Sequence, residues 1–154
     1  MKNLSTYINE TLKRSQSDHI YEWVLNKDTK KRTSRKKNPY KYCPENKKDL
    51  RKIINKKYIH DSTLNLNDIF TINITDMSYL FSDFTQLKSV DISDWKISNV
   101  ETFESMFENC PNLTEIKGIE KWEINDDTNL KNMFKGCNES VIPSWYDKQK
   151  WETQ

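Results

Sequence analysis

Residues 91–116 have the sequence DISDWKISNVETFESMFENCPNLTEI, and their pattern recurs on both sides along the chain. A shift of 26 positions towards the N-terminus places Phe107 on Phe81, and a shift of 27 positions towards the C-terminus places it on Phe134. The apolar residues around these positions recur with the same spacing. Such a period indicates units that stack and bury their apolar side chains between neighbours. We therefore define three repeats: repeat 1 at 64–90, repeat 2 at 91–116 and repeat 3 at 117–142.

Each repeat combines two apolar patterns. The first, as in LKSVDISDW, spaces Leu87, Val90 and Ile92 like the strand and preceding turn of a leucine-rich repeat. The second, as in NVETFESMFENC, places Phe103 and Phe107 on one face of a helix. The sequence therefore predicts the α/β class, as a short leucine-rich-repeat-like β-α solenoid of three rungs. Its parallel strands are expected near residues 64–67, 89–92 and 116–119.

The segments outside the repeats are predicted to extend and cap the stack. Residues 1–41 are assigned to an N-terminal helix and a basic arm, and residues 42–63 to a strand–helix cap that begins its helix after Asn46. Residues 143–154 are assigned to a C-terminal cap and tail. Trp145 is expected to cover repeat 3, because the end of a stack exposes apolar surface.

Charge is distributed unevenly along the chain. The net charge is +2, yet residues 27–57 hold 14 basic and 3 acidic residues, while residues 58–154 hold 8 basic and 17 acidic residues. This asymmetry favours two surfaces with different partners, or two surfaces that attract each other. A basic arm can neutralise phosphates, with Tyr40 and Tyr42 stacking on bases, but a solvated loop explains the same residues. The basic patch consists of Lys30, Lys31, Arg32, Arg35, Lys36 and Lys37.

Residue patterns needed for several classes of function are missing from the sequence. Cys43, Cys110 and Cys137 form no zinc-type spacing, and no nucleophile–base pair or cofactor loop stands out. We therefore predict no metal, no cofactor and no enzymatic activity. Cys110 and Cys137 fall in register between repeats, which favours inert, buried thiols. No apolar stretch has the length of a signal peptide or membrane span, so a cytoplasmic location without membrane contact is expected.

The repeats resemble the BspA-like, 26-residue repeats of bacterial surface proteins, a variant of the leucine-rich repeat. The resemblance rests on ITDMSYLF at 74–81, VDISDWKISNVETFESMFENC at 90–110, KWEINDDTNLKNMFKGC at 121–137 and the closing IPSWY at 142–146. Three repeats without a secretion signal or anchor resemble the short, unexported relatives of bacterial and bacteriophage genomes. The resemblance implies no catalytic residues.

The outer side of the strands is the expected partner-binding surface. If Leu66, Val90 and Ile116 point inward, alternate residues point outward, onto the face that binds proteins in leucine-rich repeats. We expect a non-enzymatic protein–protein interaction module, for instance a phage or mobile-element inhibitor of a host factor. The alternatives are an accessory protein that contacts nucleic acid or ribonucleoprotein through residues 27–57, a fragment of a surface adhesin, or a plain solvated face. The expected contact residues are Asn65, Asn67, Ser89, Asp91, Ser93, Glu115 and Lys117.

Overall fold

The computed structural model describes residues 40–152. The chain divides into two units, Met1–Lys41 and Tyr42–Gln154, and nearly all of the described residues belong to the second unit. The predicted N-terminal helix and basic patch, with Lys30, Lys31, Arg32, Arg35, Lys36 and Lys37, lie outside the described residues.

The second unit is built around three short strands that pair in parallel. Strand β1 spans Thr63–Asn65, β2 spans Ser89–Asp91 and β3 spans Glu115–Lys117, in the order β1-β2-β3. The register places Leu64, Val90 and Ile116 side by side, each buried. The strands therefore have the direction and approximate positions that the repeat spacing predicts.

Few helices accompany this sheet. Helix α1 spans Lys47–Tyr58 and helix α2 spans Lys148–Trp151, while Ile119–Lys121 and Glu139–Val141 form single turns of 3-10 helix. Both α-helices lie outside the three repeats. Asn46 caps the start of helix α1, because its side chain accepts a hydrogen bond from the Asp49 N–H at 3.0 Å.

The predicted α/β fold class, a β-α solenoid of three rungs, is wrong. Residues 64–142 contain no α-helix, and the second half of each repeat forms turns beside a small three-stranded parallel sheet. The physical reason is a pair of left-handed residues in each repeat, which an α-helix cannot contain in its interior. These pairs are Tyr79 and Asp83 (φ 59° and 63°), Ser105 and Asn109 (φ 52° and 59°), and Asn132 and Gly136 (φ 56° and 77°).

Backbone hydrogen bonds between repeats replace those of the expected helices. The Phe81 N–H donates to the Met106 carbonyl at 2.8 Å, and the Phe107 N–H donates to the Met133 carbonyl at 2.9 Å. Alternate residues on either side continue this ladder from one repeat to the next. At the end of repeat 3 the Asn132 N–H donates to the Trp151 carbonyl at 2.8 Å, so α2 closes the ladder. Apolar residues three and four positions apart therefore suit these turns as well as a helix.

A column of phenylalanine rings runs through the core. Phe81 and Phe107 stack with ring centroids 4.9 Å apart, and Phe107 and Phe134 stack at 5.7 Å. All three are fully buried. Trp145 meets Phe134 at 6.4 Å, and its indole N–H donates to the Ile119 carbonyl at 3.0 Å. The column thus joins the three repeats and ends against the residue expected to cover the last one.

The thiols of Cys110 and Cys137 occupy equivalent places beside this column. Cys110 donates to the Phe81 carbonyl at 3.0 Å, and Cys137 donates to the Phe107 carbonyl at 2.9 Å. Burial raises the pKa of Cys110 to about 12 and that of Cys137 to about 11. The thiolates that react with electrophiles are therefore scarce at neutral pH.

We expect the native chain to show slow thiol chemistry at these two positions. In a titration with a thiol-reactive disulfide at pH 8, half-buried Cys43 should react first, with Cys137 and then Cys110 later. Because both pKa values lie above 10, their rates should rise about tenfold per pH unit from pH 8 to pH 10. Denaturant should make all three thiols react alike. Equal rates for Cys43 and Cys110 in the native chain would contradict the burial of Cys110.

Candidate interaction site

The outward residues of the three strands form a flat polar surface, here called the outer sheet face. Strand pairing arranges them in two rows, because residues in register stand side by side across a parallel sheet. One row contains Thr63, Ser89 and Glu115, and the other contains Asn65, Asp91 and Lys117. All six side chains are exposed or half-buried.

A hydrogen-bond network centred on Asp91 lies at the end of this face. One carboxylate oxygen of Asp91 accepts from Asn67 Nδ2 at 2.8 Å, from Ser93 Oγ at 2.7 Å and from the Ser93 N–H at 3.1 Å. The side-chain oxygen of Asn67 accepts from the Asp94 N–H at 2.9 Å. These bonds tie the turn after β1 to the turn after β2.

The electrostatics of Asp91 follow from this network. Partial burial acts to raise the pKa of Asp91, but the hydrogen bonds from Asn67 and Ser93 and the charge of Lys117 together outweigh it and lower the pKa below its ordinary value. Asp91 therefore stays ionised at neutral pH.

The predicted contact residues fall into two groups. Asn67, Asp91 and Ser93 use their polar groups to hold the turns, and the side-chain oxygen of Asn65 accepts from the Asn67 N–H at 3.0 Å. Glu115 and Lys117 are exposed, with their charged ends 3.9 Å apart, and half-buried Ser89 lies beside Glu115. The structure thus brings the seven residues together, but those of β3 offer their side chains more openly to a partner.

Thr63 belongs to the same face and is missing from the predicted contact residues. It is exposed and lies in register with Ser89. The predicted first strand begins at residue 64, one position too late to include it. Alternation about buried Leu64 is the signal that identifies it.

A cavity of about 420 Å³ adjoins the outer sheet face beside β1. In its wall, Lys57 Nζ lies 2.8 Å from an Asp68 carboxylate oxygen, 3.1 Å from the Asn65 carbonyl and 5.7 Å from the centre of the Tyr42 ring. No local sequence signal marks this cavity, because it arises where α1 packs near β1. Its lining residues are Tyr42, Ile53, Lys56, Lys57, His60, Asp61, Thr63, Leu64 and Asn65.

The ring of Tyr42 is not openly exposed, as stacking on a nucleic-acid base would require. Its N–H donates to the Asp68 carbonyl at 3.0 Å, its carbonyl accepts from the Phe70 N–H at 2.9 Å, and its ring is half-buried in the cavity wall. A stacking platform for nucleic-acid bases needs an open aromatic face.

Residues 40–152 contain neither a group of metal-binding side chains nor a membrane-spanning helix. Within this range no three His, Cys, Asp or Glu side chains are grouped so that they could hold a metal ion. The same residues include no helix with the length and apolar character needed to cross a membrane.

Comparison with known proteins gives a family match. The family described as "Mycoplasma protein of unknown function, DUF285" matches residues 25–145, which include all three repeats and α1. No curated protein matches the chain. No solved structure matches it either. Because the match covers well over half of the sequence, the chain belongs to the DUF285 family.

Proposed function

We propose that this chain is a non-enzymatic protein-binding module that uses the outer sheet face together with the adjoining cavity. The observation that carries the proposal is the position of Thr63, which belongs to both. An exposed polar surface continues there into a cavity with an apolar wall, formed in part by Ile53 and Leu64. Protein interfaces combine such an anchor pocket with a flatter polar rim.

The size of the sheet indicates why the cavity must take part. Three strands about 4.8 Å apart, with two outward residues each, cover an area roughly 10 Å by 7 Å. A stable interface buries about 800 Å² on each partner. The outer sheet face alone supplies a small part of that area. A partner that also fills the cavity and covers the turns near Ser93 would bury an area closer to that of a stable interface.

We further propose that the repeats are related to the BspA-like surface proteins. Membership of a repeat-containing bacterial family supports this relation, as do the equivalent Trp95 and Trp122 and the equivalent Cys110 and Cys137. Under this proposal the partner is a protein.

We expect a double variant of the outer sheet face to lose partner binding. Thr63→Arg/Glu115→Arg places two bulky cations on the exposed rows without touching the core. The variant and the wild type would be used to capture proteins from nuclease-treated lysate of the native host, with quantification by mass spectrometry. A specific partner should be recovered at least about tenfold less by the variant, which corresponds to about 1.4 kcal/mol of binding free energy.

The matched control changes charge and bulk elsewhere. Ser98→Arg/Asp126→Arg adds the same positive charge at two exposed positions outside the outer sheet face and the cavity. The control should recover the partner as the wild type does. Equal losses in the two variants would show that charge alone governs binding. Recovery by both variants at the wild-type level would exclude this face as the contact surface.

A further inference from the structure

We propose that α1 carries a second binding surface, which takes the phosphate backbone of a nucleic acid. The surface is a stripe of three lysines, Lys48, Lys52 and Lys56, here called the lysine stripe. All three side chains are exposed. Residues four apart lie on the same side of an α-helix, so the stripe follows the outward side of α1. This surface lies outside the outer sheet face, shares only Lys56 with the lining of the adjoining cavity, and does not depend on the proposed role of either.

The other basic residues of α1 have partners within the fold. Lys47 Nζ lies 2.7 Å from an Asp76 carboxylate oxygen and donates to Ser78 Oγ at 2.7 Å. Lys57 forms the ion pair with Asp68 in the cavity wall, and the Arg51 guanidinium lies 5.6 Å from the centre of the Phe84 ring. Three of the six cations of α1 therefore hold the helix to the repeats, and the lysine stripe contains the remaining three.

Within residues 40–152, the lysine stripe forms a single, long ion pair. Asp49 is the single acidic residue of α1, and its carboxylate lies 3.9 Å from Lys52 Nζ at an exposed position. Lys48 and Lys56 form no ion pair within residues 40–152. Uncompensated cations in a row repel one another, a cost that an external polyanion would remove.

The geometry of the stripe fits a phosphate backbone. Lys48 and Lys56 are eight residues apart, which is about 12 Å along a helix. One nucleic-acid strand presents about three to four phosphates over such a length, at about 3.4 Å of axis per phosphate. Three lysine ammonium groups can therefore each meet a phosphate. Lysine makes such backbone contacts commonly, whereas lysine is depleted in protein–protein interfaces.

The apolar side of α1 argues against a membrane as the partner. Leu50 and Ile54 are fully buried in the core, so they cannot enter a lipid bilayer. Among residues 40–152, Ile59, 76% exposed, is the one large aliphatic side chain that faces solvent, and it follows the C-terminal end of α1. A helix that lies in a membrane surface needs a whole apolar face.

Further basic residues precede the stripe in the sequence. Residues 27–57, which contain α1 except Tyr58, hold 14 basic and 3 acidic residues. The stripe therefore lies in the C-terminal part of a segment whose sequence is strongly basic. Its attraction for a polyanion should be strong at low salt and should weaken steeply as salt rises.

The test uses the full chain in titrations against labelled duplex DNA and a labelled RNA hairpin at several salt concentrations. We expect the triple variant Lys48→Gln/Lys52→Gln/Lys56→Gln to bind about tenfold more weakly or worse. Its affinity should also depend less on salt: the slope of log affinity against log salt should become shallower by about 2–3. The variant should keep the wild-type melting transition, because all three side chains are exposed. Substitution of the same three residues by Arg should preserve affinity.

The control removes equal charge from the repeats. Lys88→Gln/Lys96→Gln/Lys121→Gln changes three exposed lysines outside α1, and affinity should fall by less than about threefold. Equal losses in the two variants would overturn the proposal, as would the absence of any nucleic-acid binding by the wild type. A contrary result would be that the chain binds anionic lipid vesicles or an acidic protein through the lysine stripe and fails to bind nucleic acid. That result would overturn the proposal in favour of the partner that is bound.

Discussion

Replacement of Phe107 by Ala should lower the free energy of unfolding by about 3–5 kcal/mol, the range for a fully buried aromatic side chain. Phe107 is the central ring of the column and stacks on Phe81 and Phe134 at the same time. The substitution therefore removes two aromatic contacts and leaves a cavity between repeats. A domain of this size is stabilised by about 5–15 kcal/mol in total, so the loss is a large share. Urea denaturation followed by tryptophan fluorescence would measure it.

The control for this experiment is Ile59→Ala. Ile59 is 76% exposed, so its truncation should change the free energy of unfolding by less than about 0.5 kcal/mol. The dependence of stability on urea should stay the same for both variants, because neither changes the surface that unfolding exposes by much. A loss below about 1 kcal/mol for Phe107→Ala would mean that its ring lies outside the core and that the register of the repeats is wrong.

The column of phenylalanine rings is a feature that the repeat spacing predicts correctly. Equivalent positions in the sequence predict which residues stack, and Phe81, Phe107 and Phe134 do stack in the structure. The same spacing gives the parallel direction of the strands. Both results follow from a period along the chain, which translates directly into neighbours in space.

The second half of each repeat forms turns, although its apolar spacing predicts a helix. Val100, Phe103, Met106 and Phe107 match a helical face, but Ser105 and Asn109 adopt left-handed backbone angles that end any helix there. Asn tolerates this conformation well, and Ser does so less readily, so the residue types alone gave little warning. The hydrogen bonds that stabilise the turns come from the neighbouring repeat. A pattern within one repeat cannot reveal them.

Part of the candidate site can be predicted from the sequence, and part depends on tertiary contacts. Alternation about Leu64, Val90 and Ile116 predicts which strand residues point outward. The cavity depends on how α1 packs beside β1, and the lysine stripe becomes visible only when the partners of Lys47 and Lys57 are known. Tertiary contacts decide which charges serve the fold and which remain available.

Replacement of Gly118 by Ala should lower the free energy of unfolding by about 2–5 kcal/mol, from left-handed backbone strain together with overpacking. Gly118 follows β3 with φ 94°, a conformation that favours glycine. A Cβ atom there would lie 2.5 Å from the Ser93 Cα and 2.9 Å from the Ser93 backbone nitrogen. Backbone atoms cannot move aside as a flexible side chain can. Urea denaturation would measure the loss.

Gly136→Asn is the matched substitution at the other left-handed glycine. Gly136 has φ 77°, and the equivalent positions in repeats 1 and 2 hold Asp83 and Asn109 at φ 63° and 59°. A Cβ at Gly136 would meet the side-chain oxygen of Asn109 at 3.0 Å, and that amide can turn away. We expect a change below about 1 kcal/mol, because the fold already accepts non-glycine residues in this conformation at two of the three repeats.

The two glycine variants together separate backbone strain from the close approach of Ser93. Both glycines have positive φ, but only at Gly118 would an added Cβ lie within 3.0 Å of the backbone of a neighbouring repeat. Because the Ser93 N–H and Oγ both donate to Asp91, a displaced Ser93 should also disturb the network at the end of the outer sheet face. If the outer sheet face binds a protein as proposed, the Gly118→Ala variant should therefore bind that protein more weakly even under conditions where it stays folded. A stability loss at Gly118 no larger than the loss at Gly136 would show that Ser93 moves aside at little cost.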